Sequence, residues 1–348
     1  MSEIVFAIPG DLALPTGGYA YDRRLLAEWR ASGVLARHLA LPGSFPDPTP
    51  DDLMETGRAI LSQPFDCALL IDGLAYGAFP ESIAAGLAGR VVALVHHPLG
   101  LETGLPPERA ASLLAGEAAA LRYASAIIVT SATTKRHLVA DFGLDEARIT
   151  VAVPGVDAAP RARGSGGGAV SLLAVGSLVP RKGYDVLVTA LAGIPDRDWQ
   201  LTIIGAADRV PATTQALRAQ IAQAGLGDRI TLAGAVPDAT LAETYDRADL
   251  FVMPSLFEGY GMVLTEALAR GLPVLCTTGG AAAETVPDGA AVKVAPGDAD
   301  ALAKGLVTLI DDAALRARLG YAAWETAGSL PRWRDTAATV AEICRKVM

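Results

Sequence analysis

Residues 254–274, Pro-Ser-Leu-Phe-Glu-Gly-Tyr-Gly-Met-Val-Leu-Thr-Glu-Ala-Leu-Ala-Arg-Gly-Leu-Pro-Val, hold the densest set of groups able to do chemistry. The run reads as strand, loop, helix, strand. Gly259 and Gly261 bracket Tyr260 where the helix should begin. The backbone there can approach a ligand closely, and the amides through Met262 and Val263 face its negative charge. That is the pattern of a diphosphate site. Glu258 lies in the loop and Glu266 about two helical turns on, so the two carboxylates stand more than about ten ångströms apart in a regular helix. They cannot share one proton. The spacing suits two contacts on one long ligand, a sugar at Glu258 and a ribose diol at Glu266, because ionised carboxylates accept hydrogen bonds from vicinal hydroxyls. The plainer alternative is a helix cap and a surface glutamate.

A second stretch, Ala-Val-Gly-Ser-Leu-Val-Pro-Arg-Lys-Gly-Tyr over residues 174–184, leaves a strand and enters a helix with Arg181 and Lys182 at its start. A guanidinium can fork onto two phosphate oxygens and an ammonium adds a compact charge, so the pair suits a departing diphosphate. The alternative is an exposed basic turn. In the first half Gly17 and Gly18 follow the first strand, where glycines admit a phosphate or sugar. His96 and His97 end a strand, with His96 placed to hydrogen-bond a transferred sugar. Asp72, His97 and Glu102 follow strands as candidates for acceptor hydroxyls. Arg23, Arg24 and Arg30 share one helix and offer either an anion-facing edge or a solvated face.

These stretches resemble the family 4 retaining glycosyltransferases, the glycosyl transferases group 1. Glu258 and Glu266 match the family's E-x7-E signature, with the Ser-x-x-Glu-Gly-Tyr-Gly lead and the Glu-Ala-x-Ala-x-Gly-x-Pro-Val follow-through both present. Lys182 matches the lysine of the family's Gly-Arg-x4-Lys-Gly element, which begins at Gly176. Ser177 stands where that element has arginine, and Arg181 is the candidate to supply the second cation. Gly205, then Gly234 to Pro237, then Leu241 to Tyr245 continue the likeness, which places the nucleotide base near Ala235 and Val236. Gly17 and Gly18 match a family glycine pair, and His96 matches its strand-end histidine. The Val-Pro-Gly-Val-Asp run at residues 153–157 is similar to the one that closes the family's first domain. The resemblance covers residues 170–290 strongly and the first half weakly. It implies a GT-B fold, with two Rossmann-like domains whose parallel sheets face a central cleft. It also implies transfer, with retained configuration, of a sugar from a UDP- or GDP-sugar to an acceptor hydroxyl of a small molecule or glycan. A lipid-linked acceptor, or a nucleotide-sugar-binding subunit without turnover, is the alternative.

Elements able to position such groups are legible along the whole chain. Its 348 residues suit two domains of roughly 150 each. Hydrophobic residues are 51% and charged residues 19%, enough for buried sheets and too little charge for disorder. Short β-branched runs alternate with Ala- and Leu-rich stretches of helical length, the mark of an α/β fold with parallel sheets. Strands are expected near residues 4–8, 34–41, 67–71, 91–95, 126–129 and 149–153, then 170–175, 201–205, 230–233, 250–253 and 273–276. Residues 161–168 carry too much glycine for an element and read as a flexible joint. The expected domains are therefore 1–160 on the acceptor side, 161–168 as linker and 169–330 for the donor. By the resemblance, 331–348 is a helix crossing back to the first domain.

Composition excludes several classes. Apolar runs are far shorter than the roughly 20 residues of a membrane helix, and the Met-Ser-Glu-Ile start lacks a basic leader, so a cytoplasmic protein is expected. Cys67, Cys276 and Cys344 have no zinc or disulfide spacing and read as core thiols. A net charge of −9 disfavours nucleic acid. No GxGxxG follows a strand, which argues against a dehydrogenase. No Asp-x-Asp sits in a metal loop: Asp196 and Asp198 precede a strand, and Asp298 and Asp300 read as a helix start. Neither an obligatory metal nor another cofactor is expected. The paired carboxylates of a glycoside hydrolase are also missing.

Overall fold

The computed structural model describes residues 3–347. The chain divides into two compact units, Met1–Gly155 with Pro331–Met348, and Val156–Leu330. The first unit is built on six strands, β1 (Ile4–Pro9), β2 (Ala36–Leu41), β3 (Ala68–Asp72), β4 (Val91–Val95), β5 (Ala126–Val129) and β6 (Ile149–Val151). They lie parallel in the order β2-β1-β3-β4-β5-β6. Every residue of β1, β3 and β4 is buried. Parallel crossovers lay helices over both faces of a sheet, which is why these strands read as unbroken apolar runs instead of alternating.

The second unit repeats the plan with β7 (Val170–Val175), β8 (Trp199–Ile204), β9 (Ile230–Gly234), β10 (Leu250–Met253), β11 (Val274–Thr277) and β12 (Ala291–Val294). Their order is β12-β11-β10-β7-β8-β9, again all parallel. The expected strands are all present, with ends moved by one or two residues. Strand β12 is the addition. It is a four-residue edge strand, half-buried throughout, and its Ala-Val-Lys-Val sequence has too little apolar length to stand out.

One expectation about the fold is corrected. Residues 161–168 lie within the second unit and are bonded to it: Ala162 N donates to Arg270 O at 2.8 Å, Arg163 N to Asp246 O at 2.9 Å and Ser165 N to Asp249 Oδ1 at 3.0 Å. A glycine run without apolar anchors can still be fixed when neighbouring carbonyls and carboxylates take its amides. The arginines of the helix Gly17–Ser32 had two readings, an anion-facing edge and a solvated face, and the structure separates them. Arg23 donates to the carbonyls of Leu12 and Leu14, while Arg24 pairs with Glu28 at 3.3 Å and lies 5.2 Å from the Trp333 ring centre. Two of the three charges are thus committed to the protein, and the anion-facing edge is lost.

The last helix, Trp333–Val347, lies in the first unit. Its buried Trp333, Ala337, Val340, Ala341 and Cys344 recur at helical spacing and form one apolar stripe. Trp29 Nε1 donates to Ala337 O at 2.8 Å, and Thr336 Oγ1 to Val153 O at 2.8 Å. Cys67, Cys276 and Cys344 are buried free thiols. Among the described residues no helix is long and apolar enough to cross a membrane.

Close packing at the strand ends yields a stability prediction. A Cβ on Gly205, which follows β8, would lie 1.9 Å from the carbonyl oxygen of Gly176, which follows β7. Gly205→Ala is expected to destabilise the protein by about 1–3 kcal/mol or more. Gly116, exposed in the helix Pro107–Leu121 with nothing near its missing Cβ, is the opposite case, and Gly116→Ala should stabilise by about 0.5–1 kcal/mol. Urea unfolding of both variants beside the wild type checks the pair; a Gly205→Ala midpoint at or above the wild type's would contradict the packing described.

Candidate functional sites

In the second unit the strand order reverses at β7, whose neighbours are β8 on one side and β10 on the other. Connections leaving β7 and β10 diverge there and open a crevice beyond their carboxyl ends. The loop after β7 ends in a turn, Pro180–Lys182, followed by Gly183 in a left-handed conformation (φ 62°). A Cβ on Gly183 would lie 2.3 Å from Pro254 O, so only glycine lets the two loops meet. They are stitched by Leu256 N donating to Arg181 O and by Arg181 Nη1 donating to Phe257 O, both at 2.8 Å.

This stitching brings Arg181, Lys182 and Glu258 together. Lys182 Nζ donates to Glu258 Oε1 at 2.7 Å, and Arg181 Nη1 lies 3.5 Å from the same oxygen. Glu258 is only 5% exposed. Burial by itself would raise its carboxyl, but Lys182 and then Arg181 outweigh it and hold the group down to about 2. The backbone of Glu258 is also fixed, its N–H donating to Gly279 O and its carbonyl accepting from Ala281 N. Gly176 leaves room for the Lys182 chain, whose Cε would be 2.9 Å from a Cβ there, and Gly176 O accepts from Tyr184 Oη at 3.0 Å. Ser177 is half-buried in the same loop.

Beyond Glu258, Gly259 and Tyr260 are half-buried, and Thr285 Oγ1 donates to Tyr260 O. Gly261, at φ 89°, starts the short helix Met262–Leu268, which includes Val263 and Glu266. Glu266 accepts from the buried Tyr245 hydroxyl at 3.0 Å. Burial pushes its carboxyl up, opposed by Tyr245 and Arg270. After β9, Ala235 is exposed and Val236 packs on the core beneath Glu266's helix.

The first unit reverses its order at β1, between β2 and β3. Gly17 and Gly18 begin the helix after β1, Asp72 ends β3 and His96 follows β4. A Cβ on Gly18 would lie 3.2 Å from His96 Cδ2, so the glycine admits the ring. His96 Nε2 stands 3.0 Å from Asp22 Oδ1 and 3.3 Å from Asp72 Oδ2, and Tyr21 meets the ring edge-on. Burial disfavours the imidazolium, but Asp22 and Asp72 reverse that and raise His96 well above its ordinary value. Burial also raises Asp22, against the pull of His96. Asp72 is 3% exposed and caps the helix Gly73–Tyr76 by accepting from Leu74 N. Its carboxylate therefore serves His96 and the helix end; it is not an open acceptor contact. His97 Nε2 is 4.0 Å from Glu102 Oε2, so those two candidates face each other. The intervening loop is anchored by buried Glu117, which accepts from Leu99 N at 2.8 Å and is raised to about 8 by burial.

Asp22 and Glu117 are not marked out by any motif. A signal for Asp22 exists in its periodicity, because Leu25 and Trp29, three and seven residues on, share its buried helix face. Among the described residues Asp22, Asp72 and His96 also form the group whose ligand atoms lie close enough to hold a metal, all within 4.8 Å. Asp298 is a helix N-cap, accepting from Ala301 N.

Comparison with known proteins adds the following. Residues 157–326 match the family model for glycosyl transferases group 1, and residues 57–159 that for glycosyltransferase family 4. A D-inositol 3-phosphate glycosyltransferase of Arthrobacter sp. (strain FB24) is 35% identical over 65% of this chain and 57% of its own length. A GDP-mannose-dependent monoacylated alpha-(1-6)-phosphatidylinositol monomannoside mannosyltransferase of Corynebacterium glutamicum is 32% identical over 72% of this chain and 70% of its own. The chain spans 57–63% of the length of the first three curated relatives it matches. The structure of sucrose-phosphate synthase from Thermosynechococcus elongatus superposes with a TM-score of 0.83 at 22% identity, covering 99% of both chains, and shows the GT-B fold.

Two consequences can be measured. Glu258 is depressed in the folded state, so its contribution is complete above its unfolded value of 4.5 and is lost as pH falls towards about 2. Glu258→Gln should cost about 3 kcal/mol near neutrality, because it removes the counter-charge shared by Lys182 and Arg181. That deficit should shrink as urea unfolding is repeated below pH 4.5; a deficit independent of pH would show that the pairing does not stabilise the fold. In the first unit, Asp22→Asn should lower the pH at which His96 loses its proton, read from the ring-proton shift in NMR titration. An unmoved His96 would remove Asp22 from the cluster's electrostatics.

Proposed function

The chain belongs to the family 4, group 1 glycosyltransferases, and we propose that it transfers a sugar, with retention of configuration, from a nucleotide diphosphate sugar to an acceptor hydroxyl. The observation that carries this reading is the cluster of buried Glu258 with the half-buried Arg181 and Lys182 at the strand-order reversal of the second unit. Two cations held side by side suit a diphosphate, and a carboxylate at the same point suits the sugar attached to it. In the donor's absence Glu258 pairs with both cations and offsets one of their two charges. When the diphosphate arrives it takes up that charge, and the Glu258 carboxylate turns to accept hydrogen bonds from sugar hydroxyls. The backbone amides of residues 259–263 face the phosphates. Gly176, Ser177 and Gly205 keep the loop after β7 close to them. Glu266 takes the ribose diol and Ala235 and Val236 the base.

As the bond to the anomeric carbon breaks, Arg181 and Lys182 absorb the charge that develops on the leaving diphosphate, the work a metal ion performs in other transferases. The acceptor hydroxyl attacks from the face the diphosphate leaves, which retains configuration. In the first unit Gly17, Gly18 and His96 are assigned to the sugar, with His97 and Glu102 as acceptor contacts. The donor is a UDP- or GDP-sugar, and the GDP-mannose dependence named for the C. glutamicum relative supports the second. The acceptor is the hydroxyl of a small polyol or glycan, in keeping with the inositol phosphate named for the Arthrobacter relative. A lipid-linked acceptor is the second reading, favoured by the acylated acceptor of the C. glutamicum relative.

The decisive experiment is a thermal-shift and calorimetric screen of UDP, GDP, ADP and their sugars on wild type and Glu266→Ala. A nucleotide present at about 100 times its Kd should stabilise the wild type by about 2.7 kcal/mol and the variant much less. Lys182→Ala should then lower sugar transfer to inositol phosphates by roughly 100-fold or more, with product configuration read by NMR. Failure of every nucleotide to stabilise the wild type would defeat the donor assignment.

A further inference from the structure

Glu266 does not stand alone: a buried tyrosine from a different element holds one of its oxygens. Tyr245 belongs to the helix Asp238–Arg247 and is 0% exposed. Its ring stacks on Phe251 of β10 at 5.9 Å and 17°, and the Arg270 guanidinium caps it 4.4 Å from the ring centre. The same Arg270 donates through Nη1 to Glu266 O at 3.0 Å. The ring therefore has no freedom to swing. Its hydroxyl lies 3.0 Å from Glu266 Oε2 and 3.4 Å from Val263 O, so its single proton goes to the nearer, charged acceptor.

Resting on the reading of Glu266 as the ribose contact, we propose that Tyr245 is a positioning residue for nucleotide recognition: its hydroxyl ties down Glu266 Oε2, fixing the carboxylate plane and presenting Oε1 to a vicinal diol. A diol needs the two lone pairs of Oε1 aimed at it, and a glutamate with three free torsions would lose part of the binding free energy on being ordered. Tyr245 removes that cost beforehand. It also opposes the upward push on the carboxyl. Burial, Asp157 and Asp238 all push the Glu266 carboxyl up, while Tyr245 and Arg270 oppose them. The phenol is itself held far above its ordinary value by burial, so it remains a donor throughout the working range.

The test is titration calorimetry of UDP and GDP on the full chain at about pH 6 and about pH 8, with wild type, Tyr245→Phe, Glu266→Gln and the double variant. Tyr245→Phe keeps the stacked ring and loses only the hydroxyl. It should weaken nucleotide binding about tenfold at the higher pH and by more at the lower, because the Glu266 carboxyl then rises. If Tyr245 acts through Glu266, the double variant binds no more weakly than Glu266→Gln alone. Wild-type affinity in Tyr245→Phe, or losses that add in the double variant, would overturn the proposal while leaving the donor site standing. Undiminished binding by Glu266→Gln would overturn the donor-site reading, and this proposal with it. Should Tyr245→Phe fail to fold, Glu266→Asp draws the carboxylate away from the hydroxyl, and it must show the same loss and the same pH slope.

Discussion

The strand-end loops of the second unit are arranged around one buried carboxylate and the two half-buried cations that pair with it. An isolated charge at the depth of Glu258 would be untenable, and so would Arg181 and Lys182 without it. The pairing works only because two loops from separate strands are brought to within bonding distance and locked there. Gly183 removes the side chain that would hold them apart, while Arg181 supplies both a backbone carbonyl and a guanidinium to the opposite loop. The cluster is thus at once the closure of the fold at that edge and the most polar point inside it. Such a concentration of compensated charge is costly as mere structure and useful where a ligand's charge will take the place of one partner.

The first unit solves a related problem with the opposite charge balance. There two buried carboxylates share one imidazole, so the acidic groups outnumber the base. Asp22 comes from the helix after β1, Asp72 from the end of β3 and His96 from the end of β4, three neighbouring elements at the strand-order reversal. The arrangement fixes the ring by two oxygens at Nε2 and one glycine beneath it. Asp22 and Asp72 hold the imidazole well above its ordinary value, so it keeps its proton to higher pH. The two units thus differ in charge balance, cations outnumbering the carboxylate in one and carboxylates outnumbering the imidazole in the other.

Periodicity and short motifs made most of this legible beforehand. Strands buried on both faces, such as β1, β3 and β4, announce themselves as continuous apolar runs; the partly exposed β2, β6 and β9 were foreseen as well, and only the half-buried edge strand Ala291–Val294 was not. The E-x7-E spacing and the Arg181–Lys182 pair marked the donor side because glycines and charges at a strand end have few structural uses. Asp22 and Glu117 were not visible in that way, and Tyr245, though it closes the Leu241–Tyr245 likeness, gave no sign of its tie to Glu266. Each is a single polar residue in an ordinary helical stretch, and its meaning lies in a partner 74, 18 or 21 positions away.

The sequence by itself therefore determined the α/β class, the order of elements, the family and the chemical types gathered at the strand ends, because these depend on local pattern and on motifs of fixed spacing. The tertiary structure decided which groups share an environment. It tied the glycine-rich segment 161–168 to the second unit, turned Asp72 inward to His96 and spent Arg23 and Arg24 on carbonyls and a neighbouring glutamate. It also joined Tyr245 to Glu266. The physical reason is common to all of them: a side chain's charge state and reach are set by burial and by partners far away in the chain, and no local spacing encodes either.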